Sequence, residues 1–237
     1  MSRAINGMTG FTSRDVSLDS RRVRQADRPP ELDEESRRRV FAAVSLLVGY
    51  PDTELLGRLP LLRRSAASTP GVAGTQLNAF LDHLESSSAT HLASDYVDTF
   101  DLRRRCCLYL TYYAFGDTRK RGAALIRFTT AYREAGLDLP VEELPDHLGV
   151  VCHFAALAPA AGTELMSEHR AGIEMLRLAL ADTRSPYLSV LESLRAALPE
   201  PAETDLARAL DLARSGPPAE EVGLEPFAPP EYMGGRR

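Results

Sequence analysis

The spacing of apolar residues does most to limit what this chain can fold into. From Asp33 to about residue 215, apolar side chains recur at helical intervals, and no segment holds the two-residue alternation of a half-buried strand. Val40, Phe41, Val44, Leu47 and Val48 fall on one helix face. Asp33 is placed to cap that helix, Glu34 and Glu35 suit its positive start, and Gly49 and Pro51 stop it. The same patterning predicts helices near 53–64, 74–86, 89–100, 118–135, 146–159, 164–182, 186–198 and 203–214. The run 106–113 is apolar nearly all round and reads alone as either a strand or a buried helix. No neighbouring segment offers it a pairing partner, which favours helix. The expected fold is all-α: a single helical domain around a buried central helix.

Composition sets the limits of that domain. Residues 1–32 carry scattered apolar positions and end near Pro29-Pro30, so a disordered arm is expected there. Residues 216–237 are rich in Pro and Glu and read as a disordered tail, leaving 33–215 for the helical domain. A net charge of −5 argues against a nucleic-acid binder, which needs a cationic face. The three cysteines, Cys106, Cys107 and Cys152, make no secreted disulfide framework. No apolar stretch approaches the ~20 residues a membrane helix needs, and no signal peptide is recognisable. A cytoplasmic protein is expected.

The stretch Gly116-Asp117-Thr118-Arg119-Lys120-Arg121-Gly122 is the most informative. Asp117 is placed to cap the helix that follows, yet three cations crowd the first turn, where the helix dipole opposes positive charge. Helical angles put Arg121 on the side of Leu125 and Tyr132, facing the body of the protein. It then needs an acidic partner, with Asp98 or Asp101 as candidates. Two roles stay open: an internal ion pair locking two helices, or contact with an acidic partner or a phosphate. Tyr96 and Phe100 are four residues apart, so their rings meet. They are either ordinary core or the aromatic lining of a groove for an apolar peptide helix, rimmed by Asp98 and Asp101. Arg103-Arg104-Arg105 is either a solvated turn or a basic patch facing a partner. In Glu143-Leu144-Pro145-Asp146-His147-Leu148 a proline and a capping Asp146 start a helix, and His147 could cap, bind or titrate. His147, Cys152 and His153 lie on different helix faces and cannot jointly hold a metal. No nucleophile–base grouping and no phosphate loop is present, so neither an enzyme nor a bound cofactor is expected.

These segments resemble the molybdenum-cofactor assembly chaperones of respiratory nitrate reductase, the NarJ family. The resemblance is carried by Tyr96 to Tyr113 (YVDTFDLRRRCCLYLTYY) with 116–122 following, by 143–148, and by Leu46-Leu47-Val48-Gly49-Tyr50-Pro51-Asp52. It covers about 36–200. Cys152-His153 departs from it, standing where Leu-Glu is usual. The resemblance implies a chaperone that binds the apo catalytic subunit of nitrate reductase, partly through that subunit's N-terminal segment. It would assist molybdenum cofactor insertion before membrane docking and then leave. Client-binding residues are then expected among those singled out above, at Tyr96, Asp98, Phe100, Asp101, Asp117, Arg119, Arg121, Asp146 and His147. No nucleic-acid partner and no stable membrane association are expected, and the chain is expected to be a monomer or weak dimer. The alternatives are a chaperone for another molybdoenzyme and a helical DNA-binding regulator, for which 119–127 would be the closest thing to a recognition helix.

Overall fold

The structure, a computed structural model, describes residues 32–116, 118–138 and 143–216. The expected arm and tail fall almost wholly outside those residues, as does Asp117. Twelve α-helices occupy the described residues. α1 (Glu34–Leu47) is followed by the short α2 (Thr53–Gly57), α3 (Leu59–Ala67), α4 (Gly71–Ser86) and α5 (Ala89–Tyr96). α6 (Leu110–Phe115), α7 (Arg119–Glu134) and α8 (Leu148–Leu157) make the middle of the chain. α9 (Pro159–Glu168), α10 (Arg170–Asp182), α11 (Leu188–Ala197) and α12 (Glu203–Ser215) complete it.

The caps follow the sequence. The Asp33 carboxylate accepts from the Ser36 amide at 2.7 Å, and Asp52 accepts from Leu55 at 2.8 Å, so each satisfies an amide with no partner inside its helix. α1 then lays Val40, Phe41, Val44 and Leu47 into the core against α8 and α11, while α11 packs on α4 and α10 on α12. α8 is buried at Leu148, Val151, Cys152, Phe154 and Ala155. Its neighbour α9 comes so close that a Cβ on Gly162 would fall inside the surfaces of the Ala155 Cα and Cβ. Gly162→Val is therefore expected to force α8 and α9 apart and cost about 1–3 kcal/mol, an overpacking penalty readable by urea unfolding.

Three expectations change. The readings of 53–64 and 164–182 as single helices give way to α2 with α3 and to α9 with α10, and the chain around 106–113 is not one buried helix. α5 widens into a π-helical turn at Val97–Asp101, a 3-10 turn covers Arg104–Cys106, an extended stretch follows, and α6 begins only at Leu110. The extended stretch exists because it does have a pairing partner, 146–148, far along the chain. The Leu110 amide donates to the Asp146 carbonyl at 3.0 Å, and the Leu148 amide donates to the Leu108 carbonyl at 2.8 Å. These two bonds make an isolated antiparallel bridge between Tyr109 and His147. The carbonyls nearby are served by a side chain: the Tyr113 hydroxyl sits 2.7 Å from the Cys107 oxygen and 3.1 Å from that of Arg105. The buried segment is thus part helix and part strand-like, and it stays central, with Leu110, Thr111, Tyr112 and Tyr113 all buried.

Candidate partner-binding cleft

α6 begins where its own residues offer no side-chain cap, and its cap comes from elsewhere. Asp146, fully buried, accepts from the Thr111 amide at 3.1 Å and from the Thr111 hydroxyl at 2.5 Å. Its backbone carbonyl takes the Leu110 amide. A carboxylate at a helix N-terminus also meets the positive end of the dipole. The expectation that Asp146 caps its own helix is therefore corrected. The cap of α8 is His147, whose Nδ1 accepts from the Gly149 amide at 3.1 Å, and Asp146 faces the other way.

Arg121 faces the body of the protein, as its helical angle requires, with its side chain 19% exposed. Its acidic partner among the described residues is Asp146 at 3.7 Å rather than Asp98 or Asp101, and its Nε donates to the Thr111 hydroxyl at 3.1 Å. α7 packs on α6, so Arg121 meets the residues that cap α6, whereas Asp98 and Asp101 belong to the exposed side of the π-turn. The guanidinium also lies over the Tyr109 ring, 5.4 Å from its centre.

Above this pair opens a cleft of about 380 Å³. Of the expected site residues it brings together Tyr96, Phe100, Asp101, Arg121 and His147. Asp146 lies beneath it, Asp98 and Arg119 are exposed outside its lining, and Asp117 falls outside the described residues. Tyr96 and Phe100 do meet, with ring centres 5.0 Å apart, and Tyr187 packs 4.7 Å from Phe100. Sequence reasoning missed Tyr109, Tyr112, Cys107 and Glu143, which also line the cleft. Tyr109 sits edge-on to His147 at 5.3 Å and donates its hydroxyl to Glu143 at 3.0 Å. Burial, then the Glu143 bond and charge, push the Tyr109 phenol up to about 12. Burial followed by the charges of Asp101 and Glu143 does the same for Tyr96.

A second depression of about 370 Å³ shares Glu143 and His147 with the first. Leu46 of α1, Val150, Phe154 and Leu157 of α8, and Tyr132 of α7 give it an apolar floor, with Leu157 half exposed. The two form adjoining faces of one site, one apolar and one polar and aromatic, which is the form an amphipathic peptide helix requires. Among the described residues no group of three or more His, Cys, Asp or Glu could hold a metal ion, and no helix is long and apolar enough to cross a membrane.

Burial holds His147 below the ordinary histidine range, against an upward pull from Glu143 and Asp146. A proton on Nδ1 would also displace the Gly149 amide that it accepts. The folded state thus binds this proton more weakly than the unfolded chain does. The stability it contributes is complete above the unfolded value of about 6.5 and is lost as pH falls below it. His147→Asn keeps an amide acceptor at the cap and cannot titrate. Its thermal midpoint is expected to fall less than wild type between pH 7 and 5, which a calorimetric pH series checks.

A helical domain with an apolar depression beside a polar and aromatic cleft offers the kind of surface on which a peptide helix can lie. The family model for the nitrate reductase delta subunit matches residues 66–193, and the chain belongs to that family. It is 33% identical over 168 residues to the probable nitrate reductase molybdenum cofactor assembly chaperone NarJ of Bacillus subtilis, covering 68% of this chain and 89% of that one. It is 40% identical over 149 residues to the nitrate reductase-like protein NarX of Mycobacterium tuberculosis. That match covers 62% of this chain and spans only 22% of NarX. Against the assembly chaperone NarJ of Escherichia coli it is 30% identical over 119 residues, about half of each chain.

Proposed function

We propose that this chain is a cytoplasmic assembly chaperone for a nitrate reductase and not a catalyst. It holds the catalytic subunit before the molybdenum cofactor is in place and releases it afterwards. The observation that carries this reading is the match to the NarJ chaperone of Bacillus subtilis over 89% of that protein's length. The paired depressions supply a physical means. An apolar helix face of the client lies on Leu46, Val150, Phe154 and Leu157, and its polar flank meets Arg121, Asp101 and Glu143 across the His147 ridge. Release follows if the loaded client no longer presents that segment, because a chaperone can favour one client state only through a difference in affinity.

The test is capture of the catalytic subunit from cells that do or do not make the cofactor. Capture of the apo subunit, weakened when cofactor is supplied, is the expected result, and no capture in either state overturns the reading. Leu157→Glu places a charge on the apolar floor at a half-exposed position. It is expected to leave the melting temperature near wild type and weaken capture about tenfold or more, the scale of losing an interface anchor.

A further inference from the structure

A third depression, of about 510 Å³, shares Arg104 with the polar cleft and opens where the Arg104–Cys106 turn meets α10 and α12. Its floor is Met175, Leu178 and Ala179 of α10 with Leu210 and Ala213 of α12, and Leu210 is 49% exposed. Its rim is the run Arg103-Arg104-Arg105, and Asp182 is the single acid among its lining residues. All three arginines are exposed, and none forms an ion pair with the described residues. An apolar floor under unpaired cations calls for an occupant that is both apolar and acidic.

We propose that the occupant is the chain's own C-terminal segment, 217–237, folded back from the end of α12. Three observations carry this. The segment continues directly from the helix that forms one wall, and Gly216 leaves that helix at φ 76°, a left-handed conformation that turns the chain off the helix axis. Its composition complements the groove: Glu220, Glu221 and Glu225 are interspersed with Val222, Leu224 and Phe227, and the four glutamates of 217–237 outnumber its two cations, Arg236 and Arg237. Its length suffices, since Gly216 stands about 9 Å along the helix from Leu210 at ~1.5 Å per residue, and eleven extended residues reach up to ~36 Å. α12 lies beyond the 66–193 family match, so this wall and its occupant come together outside the part shared with the family model. The inference is independent of the chaperone reading.

The test uses the full-length chain with the photoreactive residue benzoylphenylalanine in place of Phe227, irradiated and mapped by mass spectrometry. Intramolecular cross-links to α10 or α12 around Met175, Leu178 and Leu210 are expected. They should fall several-fold in the Arg103→Glu, Arg104→Glu, Arg105→Glu triple variant, whose substituted side chains are exposed, and fall likewise on raising salt from 50 mM to about 1 M. The salt series decides the matter alone if circular dichroism shows that the triple variant has lost helix. Cross-links that are absent, that join two copies of the chain, or that are indifferent to salt and charge reversal overturn the proposal.

Discussion

Asp146→Ala is expected to lower the thermal midpoint by about 6–20 °C. The substitution removes a fully buried carboxylate that serves the Thr111 amide, the Thr111 hydroxyl and the Arg121 guanidinium together. Breaking a buried charged pair by deleting one member costs about 3–5 kcal/mol, and in a chain of this size each kcal/mol moves the midpoint about 2–4 °C. Asp146→Asn separates two parts of that cost. The amide oxygen can still accept from Thr111, so only the charge toward the α6 start and Arg121 is lost, and about 1–2 kcal/mol is expected. Scanning calorimetry of both variants checks the ordering. A midpoint within 2 °C of wild type for Asp146→Ala would show that α6 does not depend on its remote cap.

Glu174→Ala should have an effect of the same size in α10, which packs against α6. Glu174 of α10 is 1% exposed and faces Arg170, itself 3% exposed, whose Nε and Nη2 both lie 3.0 Å from its Oε1. Arg177 donates to the other oxygen at 2.8 Å and to Glu192 of α11 at 2.9 Å, so Glu174 steadies the arginine that ties α10 to α11. Burial already pulls Arg170 below the usual guanidinium range, and Glu174 is the main opposing influence. Without that carboxylate a buried cation stands alone, which costs about 3–5 kcal/mol. Glu192→Ala removes a carboxylate that is 24% exposed, and about 1 kcal/mol or less is expected. Denaturant midpoints for the two variants should therefore differ widely. Equal midpoints would mean that Arg170 finds other partners.

The parts of this structure legible in the sequence are those settled by neighbours along the chain. The Asp33 cap, the meeting of Tyr96 with Phe100 and the inward face of Arg121 all follow from helical geometry over four residues or fewer, or from residues on one helix. What could not be read is which element each face meets. Arg121 points inward by its angle, but only packing reveals that Asp146, from another loop, waits there. The run 106–113 shows the same limit in sharper form. Its apolar composition fits a helix, and the bonds that hold half of it extended come from 146–148. Tyr109 and Glu143 were missed as cleft residues for that reason, since a helical Tyr109 gives no hint of a bond to Glu143. The segment Leu144-Pro145-Asp146-His147 held the one available clue. A proline forbids helix just before it and leaves Asp146 free to serve a different chain segment.

The remote cap on α6 has a consequence for how the cleft breathes. Leu110 and Thr111 donate to the carbonyl and side chain of Asp146, and Leu148 donates back to Leu108, so these amides share one set of bonds. None can exchange its proton with solvent without separating 108–111 from 146–148, and that separation carries Tyr109 away from His147. The three amides should therefore exchange at a common rate, as a single opening unit. One wall of the cleft is either wholly in place or wholly dispersed, with no half-assembled form to offer a partner.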